Sequence, residues 1–220
     1  MRAERRYCLI VFDWDGTLID SAATIVDCIQ AAAREMALPV PERARASHVI
    51  GLGLHDSLRH AVPSLPPDKY ADFAEFYRQH FLAREDAMQL FAGVPELLGS
   101  LVARGHRLAV ATGKSRRGLD RALEANGLGV YFAASRCGDE THPKPHPAML
   151  LELLRELATD AQATLMIGDT SHDLEMARSA GVDAIGVAYG AHPVAALRAL
   201  APRQCVESVD ELRRWLEANA

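Results

Sequence analysis

At 220 residues, 49% apolar and 24% charged, the chain has the composition of a well-cored globular protein, either one large domain or a domain carrying a substantial insertion. A formal charge of −5 and the lack of basic runs interleaved with aromatics argue against a nucleic-acid footprint, so an anionic substrate must be held by local charge. No apolar stretch approaches the roughly 20 residues of a membrane span, and the apolar run after the basic N-terminal residues breaks at Asp13, too early for a secretory leader. The expectation is a cytoplasmic protein without membrane partners. Cys8, Cys28, Cys137 and Cys205 are widely spaced with no C-x-x-C pair, which predicts neither a disulfide nor a zinc site.

Residues 8–12, CLIVF, form a short run of strand formers that stops at Asp13, where an acidic turn containing Gly16 begins. In an open parallel sheet ligands sit outside the carboxyl ends of the strands, which puts Asp13 and Asp15 within a substrate's reach. Gly16 lets the backbone turn and aim the two carboxylates from different sides, as a nucleophile and a separate acid/base require. Residues 22–37 read as a helix through Ile25, Ile29, Ala32 and Met36, ended by Pro39 and Pro41. A second helix begins after Gly51-Leu52-Gly53, and a third covers about 67–84 with Phe73, Phe76, Tyr77 and Leu82. No convincing strand lies between Asp20 and Leu90, so this helical block reads as an insertion.

From Phe91 the pattern alternates. A helix runs from Gly93-Val94-Pro95 to position 103, and a strand over 107–111 ends in Thr112-Gly113-Lys114-Ser115. A helix then runs to Asn126-Gly127, followed by a short strand over 132–135, the loop His142-Pro143-Lys144-Pro145 and a helix over 147–157. A strand over 164–167 ends in Gly168-Asp169-Thr170, with a helix to Ala180-Gly181, a strand over 184–188 and helices over 194–200 and 209–218. Strands alternating with helices imply βαβ units and a parallel sheet. Only three of the 24 basic residues are lysines, and Lys114 and Lys144 both fall in strand-end loops, which suggests that a compact ammonium is wanted there.

The opening loop carries D-x-D-G-T-L-x-D-S complete, as Asp13, Asp15, Gly16, Thr17, Leu18, Asp20 and Ser21. With Thr112 and Lys114, then Lys144, then Asp169 and Asp173 in order downstream, the chain resembles the haloacid dehalogenase-like hydrolases, specifically the phosphoglycolate phosphatase-like branch. The resemblance implies a Rossmann-like parallel α/β core flanked by helices, residues 1–19 and 91–220, with an inserted, mobile helical cap over 20–90. It makes Asp13 the nucleophile and Asp15 the acid/base, a residue that the dehalogenase branch lacks. Thr112 and the Gly113 backbone N–H would contact the phosphoryl group, with Lys114 beside them and Lys144 neutralising its charge. Clustered carboxylates facing a phosphate dianion require a divalent cation, and oxygen ligands select Mg2+. Asp13, Asp169 and the Asp15 carbonyl would be its ligands, supported by Asp173 one helical turn beyond Asp169. Plain alternatives are a turn-capping Asp13, a helix-capping Thr112 or Asp169, and solvated loop positions for Asp15 and Lys144.

Other motifs fail. Gly113-Lys114-Ser115 lacks the first Gly of a P-loop, Gly51-Leu52-Gly53 lacks the third Gly of a dinucleotide fingerprint, and the prolines between His142 and His146 forbid a helical metal pair. The segment from Ile50 to Leu58 is similar to the cap of phosphoglycolate phosphatases, and His48, His55 and Arg59 are candidates for holding an anionic leaving group. The expected function is Mg2+-dependent hydrolysis of a small phosphorylated metabolite by a monomer or homodimer. A pyrophosphatase, a β-phosphoglucomutase-like phosphomutase and a regulatory protein on a decayed core are the alternatives.

Overall fold

A computed structural model of the protein describes residues 6–220; the basic stretch 1–5 lies outside the described residues. Six strands, β1 (Leu9–Phe12), β2 (Arg107–Thr112), β3 (Phe132–Cys137), β4 (Thr164–Gly168), β5 (Asp183–Val187) and β6 (Gln204–Val206), form one parallel sheet in the order β3-β2-β1-β4-β5-β6. The chain runs outward from β1 to β3, then returns to place β4 on the other side of β1, so strand order reverses beside β1. Such a reversal opens a crevice at the carboxyl ends. Registers that pair Phe12 with both Val110 and Ile167 bring the ends of β1, β2 and β4 to one edge.

Helices cover both faces, which is why the central strands read as unbroken apolar runs. Ile10, Phe12, Val110 and Ile167 face one core, and Leu9, Val11, Ala109 and Met166 the other. Each buried aliphatic or aromatic side chain contributes on the order of 1.5–3 kcal/mol.

Four helices lie between β1 and the next helix of the core: α1 (Ala22–Glu35), α2 (Arg43–His48), α3 (Leu54–Ala61) and α4 (Tyr70–Leu82). The chain leaves and re-enters through two linkers that run side by side. Asp20 donates its N–H to the Gln89 carbonyl at 2.9 Å, and Phe91 donates to that of Leu18 at 3.0 Å. The core continues with α5 (Val94–Ala103), α6 (Arg116–Asn126), α7 (Ala148–Glu156), α8 (Ser171–Ser179), α9 (Val194–Arg198) and α10 (Val209–Asn219).

Several element boundaries differ from expectation. Helix α1 stops at Glu35, before the prolines, because Ala37 turns left-handed at φ 52°. Helix α2 has a single buried residue, Ala46, and thus no apolar period to betray it. The stretch 67–84 opens with a 3₁₀ turn at Pro67–Lys69 before α4 begins. Strand β3 reaches Cys137, and β6 is three residues long, held by its pairing with β5.

Candidate active site

The Asp13 N–H continues the β1–β4 ladder by donating to the Ile167 carbonyl at 2.9 Å, which fixes Asp13 at the sheet edge. The chain then closes on itself, with Gly16 donating to the Ile19 carbonyl and Leu18 to that of Trp14, both at 2.9 Å. Gly16 sits at φ +79°, and a Cβ there would collide with the Asp169 carboxylate, so the turn tolerates only glycine. The turn separates the two acids. Asp13 faces Lys144 and Asp173, whereas Asp15 faces Lys114 and Ser21.

Lys144 Nζ lies 2.7 Å from Asp13 Oδ1 and 2.6 Å from Asp173 Oδ1, all three residues being buried. Beyond this ion-pair contact with Lys144, neither Asp13 oxygen nor Asp173 Oδ1 has a further hydrogen-bond partner among the described residues. Asp169 is held on both oxygens, by the Thr17 hydroxyl at 2.9 Å and the Ala191 N–H at 2.7 Å. Asp173 Oδ2 accepts from the Thr170 N–H and hydroxyl, at 3.0 and 2.7 Å, as the third residue of a capping box on α8. Asp169 and Asp173 are therefore not one turn apart on a helical face. Asp169 stands in the loop before the Thr170 N-cap, and the turn into α8 brings the two together.

Asp13, Asp169 and Asp173 each offer a carboxylate oxygen within 4.8 Å of the others. One ammonium faces three carboxylates, and burial raises the pKa of Asp13 well above the usual range despite Lys144, with Asp173 adding to the rise. Burial and then Asp173 push Asp169 up to about 7. Burial opposes the charge on Lys144, but Asp13 and Asp173 outweigh it and hold its pKa above the ordinary value. Buried carboxylates that outnumber the one ammonium beside them, with Asp13 Oδ2 unpartnered among the described residues, fit a hard divalent cation bound by oxygen ligands, such as Mg2+.

Thr112, the last residue of β2, is buried and accepts from the Lys114 N–H at 3.2 Å. It does not cap α6; Ser115 does, by accepting from Gly118. Lys114 holds Asp15 with its Nζ 3.0 Å from each carboxylate oxygen, while its ammonium lies 4.5 Å from the centre of the Phe81 ring. Ser21 donates to Asp15 at 2.8 Å. Thr17 and Ser21 thus orient Asp169 and Asp15, roles that the opening motif contains but that spacing alone does not reveal.

The helical insertion sits directly on this edge. A Cβ on Gly113 would come within 2.7 Å of the Gly51 carbonyl, and one on Gly53 within 2.8 Å of Pro143. The Gly-Leu-Gly segment is therefore a seam of close approach to the core loops. His48 lies outside the cavity that this seam borders. Its carbonyl accepts from Nε2 of His172 and of His192 at 2.8 and 3.1 Å, and its ring stacks on His192. The three rings could face a metal, but Ser171 donates to His192 Nδ1 and leaves that ring no free nitrogen. His55 rests against Tyr70, and Arg59 is exposed and paired with Asp56. None of the three lines the cavity, because α3 turns Leu54, Ser57 and Leu58 inward instead.

That cavity, about 590 Å3, has Asp13, Asp15, Thr112 and Lys114 at its core end. Its helical walls carry Ile25, Ile29, Leu58, Phe73, Tyr77 and Phe81. Tyr77 and Phe81 had a sequence signal only as one side of an amphipathic helix, since Phe73, Tyr77 and Phe81 recur every fourth residue. No helix among the described residues is long and apolar enough to cross a membrane.

A family model described as haloacid dehalogenase-like hydrolase matches residues 10–187, from the first strand to the end of the fifth. The chain is similar to a probable phosphatase, IndB, of Dickeya dadantii, with 37% identity over 210 residues, 93% of this chain and 91% of that protein. It is also similar to a 5'-nucleotidase of Pseudomonas aeruginosa, 33% identical over 228 residues that cover 99% of each. A solved structure described as a predicted phosphoglycolate phosphatase from Haemophilus somnus matches with a TM-score of 0.84 at 26% identity, over 97% of this chain and 99% of that one.

Proposed function

Because the chain belongs to the haloacid dehalogenase-like hydrolases, we propose that it is a Mg2+-dependent phosphatase that hydrolyses a small phosphomonoester through an aspartyl-phosphate intermediate. The observation that carries this reading is the buried edge cluster, in which the Asp13 carboxylate, ion-paired with Lys144, opens on the cavity with Asp169 and Asp173 close by. Asp13 attacks phosphorus, and the P–O bond to the leaving alcohol breaks as Asp15 delivers a proton to that oxygen. Asp15 then takes a proton from the water that attacks the aspartyl-phosphate, which releases phosphate and restores Asp13. Lys144 offsets charge on the transferring group, and Thr112 and the Gly113 N–H bind its oxygens. Asp13, Asp169 and the Asp15 carbonyl would hold Mg2+, with Asp173 in support; the ion supplies charge neutralisation and orientation of the phosphoryl group. Helices α1–α4 act as the cap that selects the alcohol.

The relatives' names disperse over several substrates, and the residues that suggested a carboxylate-bearing leaving group, His48, His55 and Arg59, lie outside the cavity. A phosphoglycolate-specific site loses that support, while the phosphatase chemistry does not depend on it. Phosphate release from a panel of phosphoesters, measured with Mg2+ and with EDTA, tests the reading. Release should require Mg2+ and vanish in Asp13→Asn; release that survives either change sinks it.

A further inference from the structure

The polar groups of the cavity away from Asp13 are almost all engaged already. Arg121 pairs with Glu85 at 2.7 Å, Arg78 with Glu75, and Lys114 with Asp15. Ser57 donates to the carbonyls of Val49 and Leu52, and Ser115 caps α6. Among the described residues, two lining groups make no such hydrogen bond or ion pair, the exposed Arg117 at the rim and the hydroxyl of Tyr77 on α4. A short carboxylate or a sugar ring would need several free donors or a cation close to the phosphoryl site, because polar groups buried without partners cost on the order of 1–3 kcal/mol each.

The rest of the wall is apolar. Phe73, Tyr77 and Phe81 follow one another along α4 at intervals of one turn, and the Tyr77 and Phe81 rings lie 5.9 Å apart with planes inclined by 30°. With Ile25, Ile29 and Leu58 they form the apolar wall of the cavity of about 590 Å3 that also holds the phosphoryl end, a volume within the range of small-molecule pockets. Aromatic side chains arrayed in this way prefer a flat partner that can stack or meet a ring edge.

Building on the phosphatase reading of this site, we propose that the substrate is a phosphomonoester bearing an aromatic body of one or two rings, which the α4 aromatic row holds while Tyr77 takes a polar substituent. Ethyl, hexyl, benzyl and 2-naphthylmethyl phosphates test this, because all are esters of primary alcohols and differ chiefly in the body to be bound. The expected kcat/KM for benzyl phosphate is on the order of 10- to 100-fold above that for ethyl phosphate and for 2-phosphoglycolate, and above that for hexyl phosphate. In Tyr77→Leu, which keeps apolar bulk and removes the ring, the benzyl-to-ethyl ratio should fall at least about tenfold. Equal rates across the series, or a preference for hexyl phosphate or 2-phosphoglycolate, would overturn the proposal. Calorimetric binding to Asp13→Asn separates it from the phosphatase reading. If no ester is hydrolysed but this variant binds benzyl phosphate more tightly than ethyl phosphate, the chemistry is wrong and the pocket assignment stands. If the unmodified protein hydrolyses no ester and the variant does not discriminate, both fall.

Discussion

Lys144 has no exposed surface and is wedged between Asp13 and Asp173, at 2.7 and 2.6 Å. An arginine keeps the charge but adds a planar head for which the packed site has no room, and overpacking costs about 1–3 kcal/mol. Lys144→Arg should therefore lower kcat at least tenfold and reduce thermal stability. Lys69→Arg is the control, since Lys69 is exposed and pairs with Asp72 at 3.0 Å, and it should change kcat less than about twofold. Equal, small effects in steady-state assays would show that the ammonium is not specifically required. Asp13→Asn should abolish turnover yet leave the fold stable or more stable in EDTA, because it removes one of three carboxylates that share a single ammonium. At this scale much of the site was legible, for a physical reason: each acid, Thr112 and Lys144 follows a strand end or loop whose direction the sheet dictates. His48, His55 and Arg59 were misjudged because closeness in sequence on α2 and α3 says nothing of direction. A helix sends neighbours to different faces, and on α3 it is Leu54, Ser57, Leu58 and Ala61 that turn to the cavity.

Two helix ends share one device. After α1, Ala37 at φ 52° donates to the Arg34 carbonyl while Leu38 donates to that of Ala33, the paired bonds of a Schellman stop. After α7, Ala158 at φ 43° and Thr159 repeat it on Arg155 and Leu154. Glycine normally fills that left-handed position, and alanine there costs roughly 1–2 kcal/mol. Against this, glycine loses about 0.4–1 kcal/mol through the freedom of the unfolded chain. Ala37→Gly should therefore stabilise by about 0.5–1 kcal/mol, raising Tm by roughly 1–4 °C in a thermal melt. A lower Tm would mean that the turn relaxes without penalty. The same substitution of alanine for glycine hid the end of α1 from the sequence, which offered only the later prolines as a stop. Elements with a strong apolar period, such as α1, α5 and the buried strands, were legible in type and place, though the end of α1 was not. Helix α2 and strand β6 were not, since one buries a single alanine and the other exists through its neighbour β5.

Across the whole molecule the sheet gathers three carboxylates from the ends of β1 and β4 around one buried lysine, and stability must carry that excess of negative charge. Asp169 moves from 3.8 in the unfolded chain to about 7 when folded, and Asp13 is raised as well, in both cases chiefly by burial. Between about pH 4 and 7 the folded protein thus retains protons that the unfolded chain has lost, and these two groups make stability fall as pH rises. His172 and His192 act in the opposite sense. Burial lowers their pKa values, that of His192 from 6.5 to about 4, so over that interval the unfolded chain binds more protons and stability rises with pH. A melt in EDTA alone therefore mixes two opposing slopes. The difference between melts in Mg2+ and in EDTA removes the histidine contribution, which is common to both, and isolates the carboxylates. A cation held by Asp13 and Asp169 needs them ionised, so it competes with their protons and gains as pH rises. At about a hundredfold excess over Kd the ion adds about 2.7 kcal/mol, or roughly 5–10 °C in a chain of this size. That increment should be nearly full at about pH 7.5, much smaller at about pH 5, and lost in Asp169→Asn. An increment equal at both pH values, or intact in the variant, would place the ion away from the three acids and leave their charge uncompensated.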